Sequence, residues 1–368
     1  MRSAPVLTVL PPRERFAPGH AGAISLLVHR LAAPGDIVVG SPVEQPFADV
    51  EFLAVHRVPW IVWPRSTVGR YSAGVARIVR QVRPGLVEIH NRPDIALSLA
   101  GCFPDLPMTL TLHNDPRGMR GAMSPAQRAT LARRMWVIVV SDWVRQCFAE
   151  GLSDVAVTVM PNCIDMASLP PPLPTAAREP TILFAGRVVA DKGADAFVAA
   201  CGEVLPHLPG WRARMIGADR FGEDSPETSF LRTLRPAAQA AGVEMTGYLP
   251  HGQVLEEMVR AAIVVVPSRW AEPFGLTALE AMACGAALVA SPVGGLPDLV
   301  GDAAILAPPD PVAGLAAAID DLAASPERRA ALSVRGRARA ALFDCVAARE
   351  RLGALRRAAV AGRLPDGL

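Results

Sequence analysis

Residues 262–285 read AIVVVPSRWAEPFGLTALEAMACG, and their pattern decides the class of fold. Residues 262–266 form a short apolar run rich in β-branched side chains, which is typical of a buried strand. A turn containing proline and glycine follows, and the residues beyond Gly275 have a helical composition. A buried strand that leads directly into a helix is the repeating unit of parallel sheets. The stretch therefore predicts an α/β protein.

The same alternation of strands and helices extends along the chain in both directions. In the first half, strands are predicted at 5–10, 36–40, 86–90, 108–113, 137–141 and 155–160. Helices are predicted between them at 21–31, 70–83, 94–100, 125–134 and 142–148. In the second half, strands are predicted at 181–185, 212–216, 243–246, 262–266, 287–290 and 304–306. Both halves are therefore expected to be doubly wound, Rossmann-like parallel sheets.

A proline-rich stretch at residues 169–174, reading LPPPLP, separates the two halves because it can form neither a helix nor a central strand. The 368 residues also exceed what one core usually holds. We predict an N-terminal domain at 1–168, a linker at 169–177 and a second domain at 178–345. A C-terminal helix and tail at 346–368 are predicted to pack back across the boundary.

The composition limits the classes of protein to which the chain can belong. Hydrophobic residues make up 51% and charged residues 20%, as expected for packed globular domains. The net charge of +2 is too small to indicate a nucleic-acid partner. No apolar run approaches the ~20 residues that span a bilayer, and the six scattered cysteines include no CxxC pair. These features predict a cytoplasmic protein with free thiols.

Peripheral attachment to the inner face of a membrane is the alternative location. Eight arginines of the first half could form a basic face toward anionic lipid: Arg70, Arg77, Arg80, Arg117, Arg120, Arg128, Arg133 and Arg134. Ordinary solvated arginines explain the same pattern and are the favoured interpretation.

Two glutamates, Glu272 and Glu280, lie eight residues apart around the start of the helix in the quoted stretch. The backbone N–H groups of Gly275, Leu276 and Thr277 would point outward at the positive end of the helix dipole, where they suit an anion such as phosphate. Ionised carboxylates on either side are acceptors only and pair well with sugar hydroxyl donors. A buried helix with one N-terminal and one internal glutamate is the simpler alternative.

Two cations meet at another strand end, where the sequence reads FAGRVVADKG. Gly186 and Arg187 end the strand, and Lys192 follows as the only lysine among 37 basic residues. Cations at this position would neutralise a diphosphate, whose charge grows as it leaves a sugar. A solvated loop with ordinary surface charges is the alternative for Arg187 alone.

These motifs resemble those of glycosyltransferase family 4, a group of retaining enzymes with the GT-B fold. The family's C-terminal domain carries a strand that ends in Gly-Arg, a lysine shortly after it, and a Glu-x7-Glu element that contains Pro-Phe-Gly. Residues 159–165 (VMPNCID) and 291–302 (SPVGGLPDLVGD) are also similar to the family, and the resemblance covers most of residues 155–340. It implies two Rossmann-like domains that face each other across a cleft, with the donor in the second.

The resemblance implies a role for each matching residue of the second half. Arg187 and Lys192 would bind and stabilise the donor diphosphate. Glu280 would bind the ribose, and Glu272 the hydroxyls of the transferred sugar. The other donor-binding residues would be Gly186, Tyr248 near the base, and the backbone of Phe274, Gly275, Leu276 and Thr277. Packing alone is the alternative for Tyr248.

The N-terminal half resembles the family less closely. Where the family commonly has Gly-Gly-x-Glu, residues 21–24 read AGAI. Gly22 would still allow contact with the donor phosphate, but the missing acid makes a plain helix start an equal alternative. His113, at the end of a predicted strand, matches the family's histidine beside the reacting sugar and is the catalytic candidate of this half.

Two predicted strands of the first half end in His-Asn, and these ends are expected at the carboxyl edge of the sheet. The acceptor-binding candidates are His90, Asn91, Arg92 and Asn114. The stretch HNRP at 90–93 is similar to a subset of bacterial polysaccharide and lipopolysaccharide-core transferases. A capping role at a strand end is the alternative for each of these residues.

Together, these patterns and the resemblance predict a glycosyltransferase that moves a sugar from a nucleotide-sugar donor to a saccharide or glycolipid acceptor in cell-surface polysaccharide or lipopolysaccharide synthesis. The resemblance alone implies retention at the anomeric carbon. The nucleotide sugar is a substrate, so no cofactor is predicted. The sequence also lacks an Asp-x-Asp element and a His pair with metal spacing, and no metal is predicted. The alternatives are a sugar-nucleotide epimerase or hydrolase of the same fold, and a non-catalytic module that binds a nucleotide sugar.

Overall fold

The computed structural model describes residues 4–56, 66–219 and 227–362. The chain divides into two compact units, Met1–Cys163 with Cys345–Leu368, and Ile164–Asp344. The residues of the predicted linker, 169–177, belong to the second unit. The last six residues of the predicted tail, 363–368, lie outside the described residues.

The first unit is built on a parallel sheet with the strand order β3-β2-β1-β4-β5-β6-β7. Its strands are β1 Val6–Val9, β2 Ile37–Gly40, β3 Glu51–Ala54, β4 Leu86–His90, β5 Met108–Leu112, β6 Trp136–Val139 and β7 Thr158–Val159. Its helices are α1 Ala23–Leu31, α2 Thr67–Val82, α3 Pro93–Cys102, α4 Pro125–Arg134, α5 Asp142–Ala149 and the C-terminal helix α13 Cys345–Val360. The C-terminal helix therefore belongs to the same unit as the N-terminal half of the chain.

The second unit holds a second parallel sheet with the order β10-β9-β8-β11-β12-β13. Its strands are β8 Glu179–Ala185, β9 Arg212–Ile216, β10 Val243–Gly247, β11 Ala261–Val266, β12 Ala287–Ala290 and β13 Ile305–Leu306. Its helices are α6 Ala194–Val204, α7 Ser229–Ala240, α8 His251–Arg260, α9 Leu276–Ala283, α10 Leu296–Val300, α11 Val312–Ala324 and α12 Pro326–Ala341. The prediction of two doubly wound, parallel α/β sheets is confirmed.

The central strands form because their apolar runs are buried on both faces of each sheet. All six residues of β11 and all four residues of β12 are buried, as expected for strands that are covered by helices on both sides. The edge strand β3 was not predicted. It is four residues long, partly exposed, and pairs with β2 alone, so it carries neither a continuous apolar run nor a clear alternation.

Serine caps fix the start of several helices. Ser124 accepts a hydrogen bond from the backbone of Gln127, whose side chain in turn accepts one from the N–H of Ser124. This reciprocal pair satisfies two N–H groups that the first turn of α4 would otherwise leave unpaired. Ser141 caps α5 through its hydroxyl group alone, which accepts a hydrogen bond from the N–H of Val144. The positions of these two serines in the sequence therefore set where α4 and α5 begin.

Two arginines of the predicted basic face are used inside the first unit. Arg128 is buried and donates to four backbone carbonyls, including those of Phe148 and Glu150. Arg117 forms ion pairs with Asp115 and with the carboxylate of Glu150. Arg128 therefore cannot belong to a solvent-exposed basic face, which corrects that part of the prediction. Within the described ranges, no helix has the length and apolar character needed to cross a membrane.

Candidate functional site

The predicted donor residues follow two neighbouring strands at the centre of the second sheet. β8 and β11 are parallel and adjacent, with Ile182 beside Ile263 and Leu183 beside Val264. The strand order reverses between them, and the carboxyl ends of strands at such a reversal form a crevice where ligands bind. The loop after β8 and the loop after β11 therefore lie at the same edge of the sheet.

Close backbone contacts join these two loops. Gly193 has a φ of +67°, and a Cβ atom there would lie 1.8 Å from the carbonyl oxygen of Pro267. The carbonyl oxygen of Asp191 accepts hydrogen bonds from the N–H groups of Arg269 and Trp270, at 2.9 and 3.0 Å. At position 193, only glycine lets the carbonyl group of Pro267 come this close without displacing the backbone. The contacts fix the Lys192 loop against the segment that leads to Glu272.

Glu272 is 9% exposed, and one of its carboxylate oxygens is held by two donors. Its Oε1 accepts a hydrogen bond from Lys192 Nζ at 2.5 Å and another from Ser268 Oγ at 2.6 Å. Its backbone oxygen accepts from the N–H of Gly295 at 2.7 Å. The ammonium group has three N–H bonds, so two remain for other acceptors. Lys192 and Glu272 thus form one ion-paired unit rather than two separate groups.

The N-terminus of α9 faces the same edge of the sheet. Gly275 precedes the helix with a φ of +101°, and a Cβ atom there would lie 2.4 Å from Leu296 Cδ2. The helix begins at Leu276, so the first backbone N–H groups have no partner within the helix. The positive end of the helix dipole adds to their attraction for an anion. The backbone at residues 275–277 thus begins a helix at this edge of the sheet, and the binding of an anion at 274–277 stays a prediction.

A pocket of about 220 Å³ lies at the carboxyl ends of β8, β9 and β10. Its wall includes the predicted donor residues Gly186, Arg187, Tyr248, Thr277 and Glu280. Arg187 is partly exposed, and it makes no ion pair with any residue of the described ranges. The wall thus offers an unpaired guanidinium, a carboxylate and the first turn of a helix to one ligand.

Glu280 has a partner that the sequence did not indicate. Its Oε1 lies 2.7 Å from Nε2 of His251, the first residue of α8. The side chain of Glu280 is 13% exposed and that of His251 is 41% exposed. Tyr248, which follows β10, lies three residues before this histidine and also lines the pocket. The carboxylate of Glu280 is therefore fixed by α8, the helix that follows β10.

The catalytic candidate of the first unit, His113, forms a hydrogen-bonded pair with His90. The Nδ1 of His90 and the Nε2 of His113 are 2.9 Å apart. Burial, followed by the charge of Arg356, lowers the pKa of His90 to about 3. Burial also lowers the pKa of His113 well below its usual value, with His90 adding to the effect and a hydrogen bond to Asn162 opposing it. Both imidazoles are therefore neutral at pH 7, and one ring donates to the other.

The other acceptor-side candidates differ in what they can offer a ligand. Asn91 has a φ of +55°, and its Oδ1 accepts a hydrogen bond from the N–H of His113 at 3.0 Å. Arg92 forms a two-pronged ion pair with Asp94, at 2.9 and 2.7 Å. Asn114 is exposed. The amide of Asn91 therefore shapes the His113 turn, and its role toward an acceptor stays a prediction, as do those of the other candidates.

The helix start at Gly22 is covered by a carboxylate from elsewhere in the sequence. Glu14 Oε2 accepts hydrogen bonds from the N–H and the Oγ of Ser25, at 3.4 and 3.0 Å. A Cβ atom at Gly22 would lie 2.7 Å from the same oxygen. A phosphate in this position would meet a like charge. The Glu14 carboxylate is the group nearest to this position, and the contact between Gly22 and a donor phosphate stays a prediction.

A small cavity in the first unit is lined by apolar side chains and by an ion-pair network. It has a volume of about 30 Å³, which holds little more than a water molecule. Arg356, on α13, donates to both carboxylate oxygens of Glu88 at 2.9 and 2.7 Å and to Asp36 at 2.8 Å. Burial would lower the pKa of Arg356, but the two carboxylates outweigh it and raise the pKa. The network joins α13 to the centre of the first sheet.

No group of three histidine, cysteine or acidic side chains in the described ranges is arranged to hold a metal ion. The absence of a metal from the reaction therefore stays a prediction.

Both halves of the chain match profiles of sugar-transferring enzymes. The profile described as Glycosyltransferase Family 4 matches residues 24–168, and that described as Glycosyl transferases group 1 matches residues 166–339. The chain belongs to glycosyltransferase family 4.

Individual relatives agree with this assignment. The chain is 33% identical over 287 residues to the glycogen synthase of Mycobacterium tuberculosis, a match that covers 70% of this chain and 65% of the relative. It is 35% identical over 216 residues to the D-inositol 3-phosphate glycosyltransferase of Segniliparus rotundus, covering 56% and 48%. The chain thus spans less than two thirds of the length of these curated relatives.

A solved structure shares the fold of the whole chain. The Anabaena protein HepE, solved in complex with UDP-glucose, superposes with a TM-score of 0.75 at 18% identity. The superposition covers 96% of this chain and 99% of HepE. At this identity, the likeness establishes the GT-B fold and nothing finer.

Three residues around the family 4 motifs were missed from the sequence. Ser268 and His251 each hold one of the two glutamates, and Glu14 covers the helix start at Gly22. Ser268 lies within the quoted motif, and His251 follows Tyr248 by three residues, so both were close to residues already singled out. Glu14 gave no signal, because it lies eight residues before Gly22 in a stretch without periodicity.

Proposed function

We propose that this chain is a retaining glycosyltransferase that takes a sugar from a nucleotide-sugar donor bound by the second unit. One observation carries the proposal: Arg187, without a carboxylate partner in the described ranges, shares a 220 Å³ pocket wall with Glu280 and the first turn of α9. A guanidinium and a helix start suit a diphosphate, while a carboxylate suits vicinal hydroxyls. Membership of glycosyltransferase family 4 supports this interpretation.

The proposed mechanism depends on charge at the leaving group. As the bond between the anomeric carbon and the phosphate oxygen breaks, its electron pair remains on the diphosphate. Arg187, the two remaining N–H bonds of Lys192 and the N-terminus of α9 would stabilise that charge more in the transition state than in the ground state. The acceptor hydroxyl attacks from the same face, and its proton passes to a phosphate oxygen. Retention and independence from metal ions belong to the proposal.

Glu272 is assigned to the transferred sugar. Lys192 and Ser268 hold its Oε1, while its Oε2 accepts no hydrogen bond from a described residue. A carboxylate oxygen fixed in this way can accept from a sugar hydroxyl without reorganising. In the proposal, Lys192 binds both this carboxylate and the diphosphate. It would therefore fix the position of the sugar relative to the leaving group.

The proposal extends to the substrates and to the location. HepE binds UDP-glucose, which makes UDP-sugars the first donors to test. The two curated relatives are named for different products, so their names favour no single acceptor. We propose a saccharide or glycolipid acceptor of cell-surface polysaccharide or lipopolysaccharide synthesis, on the basis of the stretch HNRP at 90–93, and a cytoplasmic location.

The direct test is turnover of UDP-, GDP- and ADP-glucose with and without a panel of saccharide and glycolipid acceptors. Product is identified by mass spectrometry, and nucleotide release is measured in parallel. We expect one nucleotide sugar to release its nucleotide only when an acceptor is present. Release without an acceptor would indicate a hydrolase, and binding without any turnover would indicate a non-catalytic module.

Arg187→Ala tests the diphosphate assignment. We expect kcat/KM to fall by roughly 10²- to 10³-fold, as when a single stabilising donor of a transition state is lost. Arg212→Ala is the matched control, because Arg212 begins β9 at the opposite edge of the same sheet and pairs with the exposed Glu179. If both variants keep wild-type turnover, the assignment of Arg187 is wrong.

A further inference from the structure

Glu280 is held at one oxygen by a residue from a different helix. Its Oε1 lies 2.7 Å from Nε2 of His251, and α8 packs against α9. An ionised carboxylate can only accept a hydrogen bond, so Nε2 carries the proton and donates it. The interaction joins the first residue of α8 to α9, the helix that follows β11.

This contact selects one orientation of a carboxylate that would otherwise be free to turn. The terminal torsion of a glutamate side chain has a broad, two-fold energy profile, so packing alone orients the two oxygens weakly. A donor fixed on Oε1 leaves Oε2 as the acceptor for a ligand. Thr277 lies one turn before Glu280 and also lines the pocket, which places the carboxylate on the pocket side of α9.

We propose that His251 is a positioning residue that orients Glu280 toward the vicinal hydroxyls of the donor ribose. This inference rests on the proposed function, and it adds a residue that acts through the glutamate without touching the reacting atoms. The hydrogen bonds from two vicinal hydroxyls to one carboxylate depend on the angle of the carboxylate plane. In the proposal, the imidazole of His251 fixes that angle.

A purely structural role predicts a different result. Polar contacts of exposed side chains contribute little to folding, and the side chain of His251 is 41% exposed at the start of its helix. A structural role would therefore change stability slightly and would alter the affinity for every ligand of the pocket by the same factor. A positioning role would alter only the part of the affinity that comes from the ribose hydroxyls.

The experiment compares UDP with 2′,3′-dideoxy-UDP by titration calorimetry on the full chain. The wild-type protein, His251→Ala, His251→Gln and Gln253→Ala are measured with both ligands. Glutamine can still donate a hydrogen bond from its amide. Gln253 is an exposed residue in the same first turn of α8, and its variant is the matched control.

We expect His251→Ala to weaken UDP binding roughly tenfold, as for the loss of a hydrogen bond to a charged group, and to leave dideoxy-UDP binding unchanged. His251→Gln should recover most of the loss, and Gln253→Ala should bind both ligands like the wild type. In turnover, His251→Ala should raise the donor KM while kcat stays within a factor of about two.

Equal weakening of both ligands by His251→Ala, or no weakening of either, would overturn the inference while leaving the proposed function in place. Wild-type protein that binds UDP and dideoxy-UDP equally would also overturn it, since Glu280 would then make no ribose contact. The proposed function fails separately if no nucleotide sugar is turned over in the presence of any acceptor.

Discussion

At the scale of single residues, Lys192 shows why charge alone does not define a site. Its Nζ donates to Glu272 Oε1 at 2.5 Å, and Ser268 donates to the same oxygen at 2.6 Å. The Asp191 carbonyl and Gly193 fix the backbone on either side of the lysine. A compact ammonium fits this space and keeps two N–H bonds for other acceptors, whereas a planar guanidinium is larger and directs its donors differently.

Lys192→Arg should therefore impair the enzyme although it keeps the charge. We expect kcat/KM to fall at least about tenfold, because the guanidinium cannot replace the ammonium between Glu272 and the donor without displacing one of them. The measurement is steady-state turnover with the donor that the panel identifies. Arg212→Lys, at the exposed amino end of the same sheet, is the control and should keep wild-type activity. Full activity of Lys192→Arg would show that the single lysine of the chain has no special role.

Whether a residue's role could be predicted depends on how far its partners lie from it in the sequence. Gly186, Arg187 and Glu280 were named from the sequence and line one pocket, because each lies in a short strand-turn-helix segment whose geometry is local. The contact between His251 and Glu280 joins residues 29 positions apart. Nothing in either segment alone indicates that contact. Pairing across elements depends on how the helices pack, which the sequence pattern does not specify.

At the scale of elements, the central strands were predictable and the edges were not. Burial on both faces produces continuous apolar runs such as β11 and β12, and these have unambiguous signals. β3 lies at the edge, is partly exposed and has no such run. Strand ends have a local signal as well, because His90 closes β4 and His113 directly follows the last residue of β5.

The histidine pair at the ends of β4 and β5 makes stability depend on pH. Burial lowers the pKa of His90 to about 3 and that of His113 below its usual value, whereas both titrate near 6.5 in the unfolded chain. Between these values the unfolded state binds more protons than the folded state. Stability is therefore complete above about pH 6.5 and falls as the pH decreases below it, by up to about 1.4 kcal/mol per pH unit for each histidine. For His90 this fall continues toward pH 3.

Urea denaturation at pH 7, 6 and 5 measures this dependence before most carboxylates titrate. We expect the free energy of unfolding to fall over this range in the wild type, and to fall less in the double variant His90→Gln, His113→Gln. The slope is compared rather than the absolute stability, so a constant loss from the substitutions cancels. His20→Asn, at an exposed position, should keep the wild-type slope. Equal slopes in all three proteins would contradict the prediction.

At the scale of the whole molecule, the C-terminal helix is part of the first unit in both its apolar and its polar contacts. Leu352 and Leu355 belong to a buried cluster with Leu27 and Leu31 of α1. The composition of the last helix indicates its amphipathic character, but not the partner of its arginines. Arg356 meets Glu88 from the middle of β4, 268 residues earlier in the chain, a pairing that only the folded chain defines.

Arg356→Met should destabilise the first unit strongly. It leaves the carboxylate of Glu88, which is 4% exposed, and that of Asp36, which is 7% exposed, without their shared cation. Breaking a buried ion pair by removing one partner typically costs about 3–5 kcal/mol, because the remaining charge stays desolvated. Chemical denaturation measures the free energy of unfolding, with Arg357→Met as the control, since Arg357 is the exposed neighbour on the same helix.

The triple variant Arg356→Met, Glu88→Gln, Asp36→Asn separates the charge effect from the loss of packing. Removing both carboxylates together with the arginine leaves no unpaired buried charge, so we expect it to recover a large part of the stability that the single variant loses. If Arg356→Met unfolds like Arg357→Met, the network contributes nothing. The attachment of α13 would then depend on its apolar face alone.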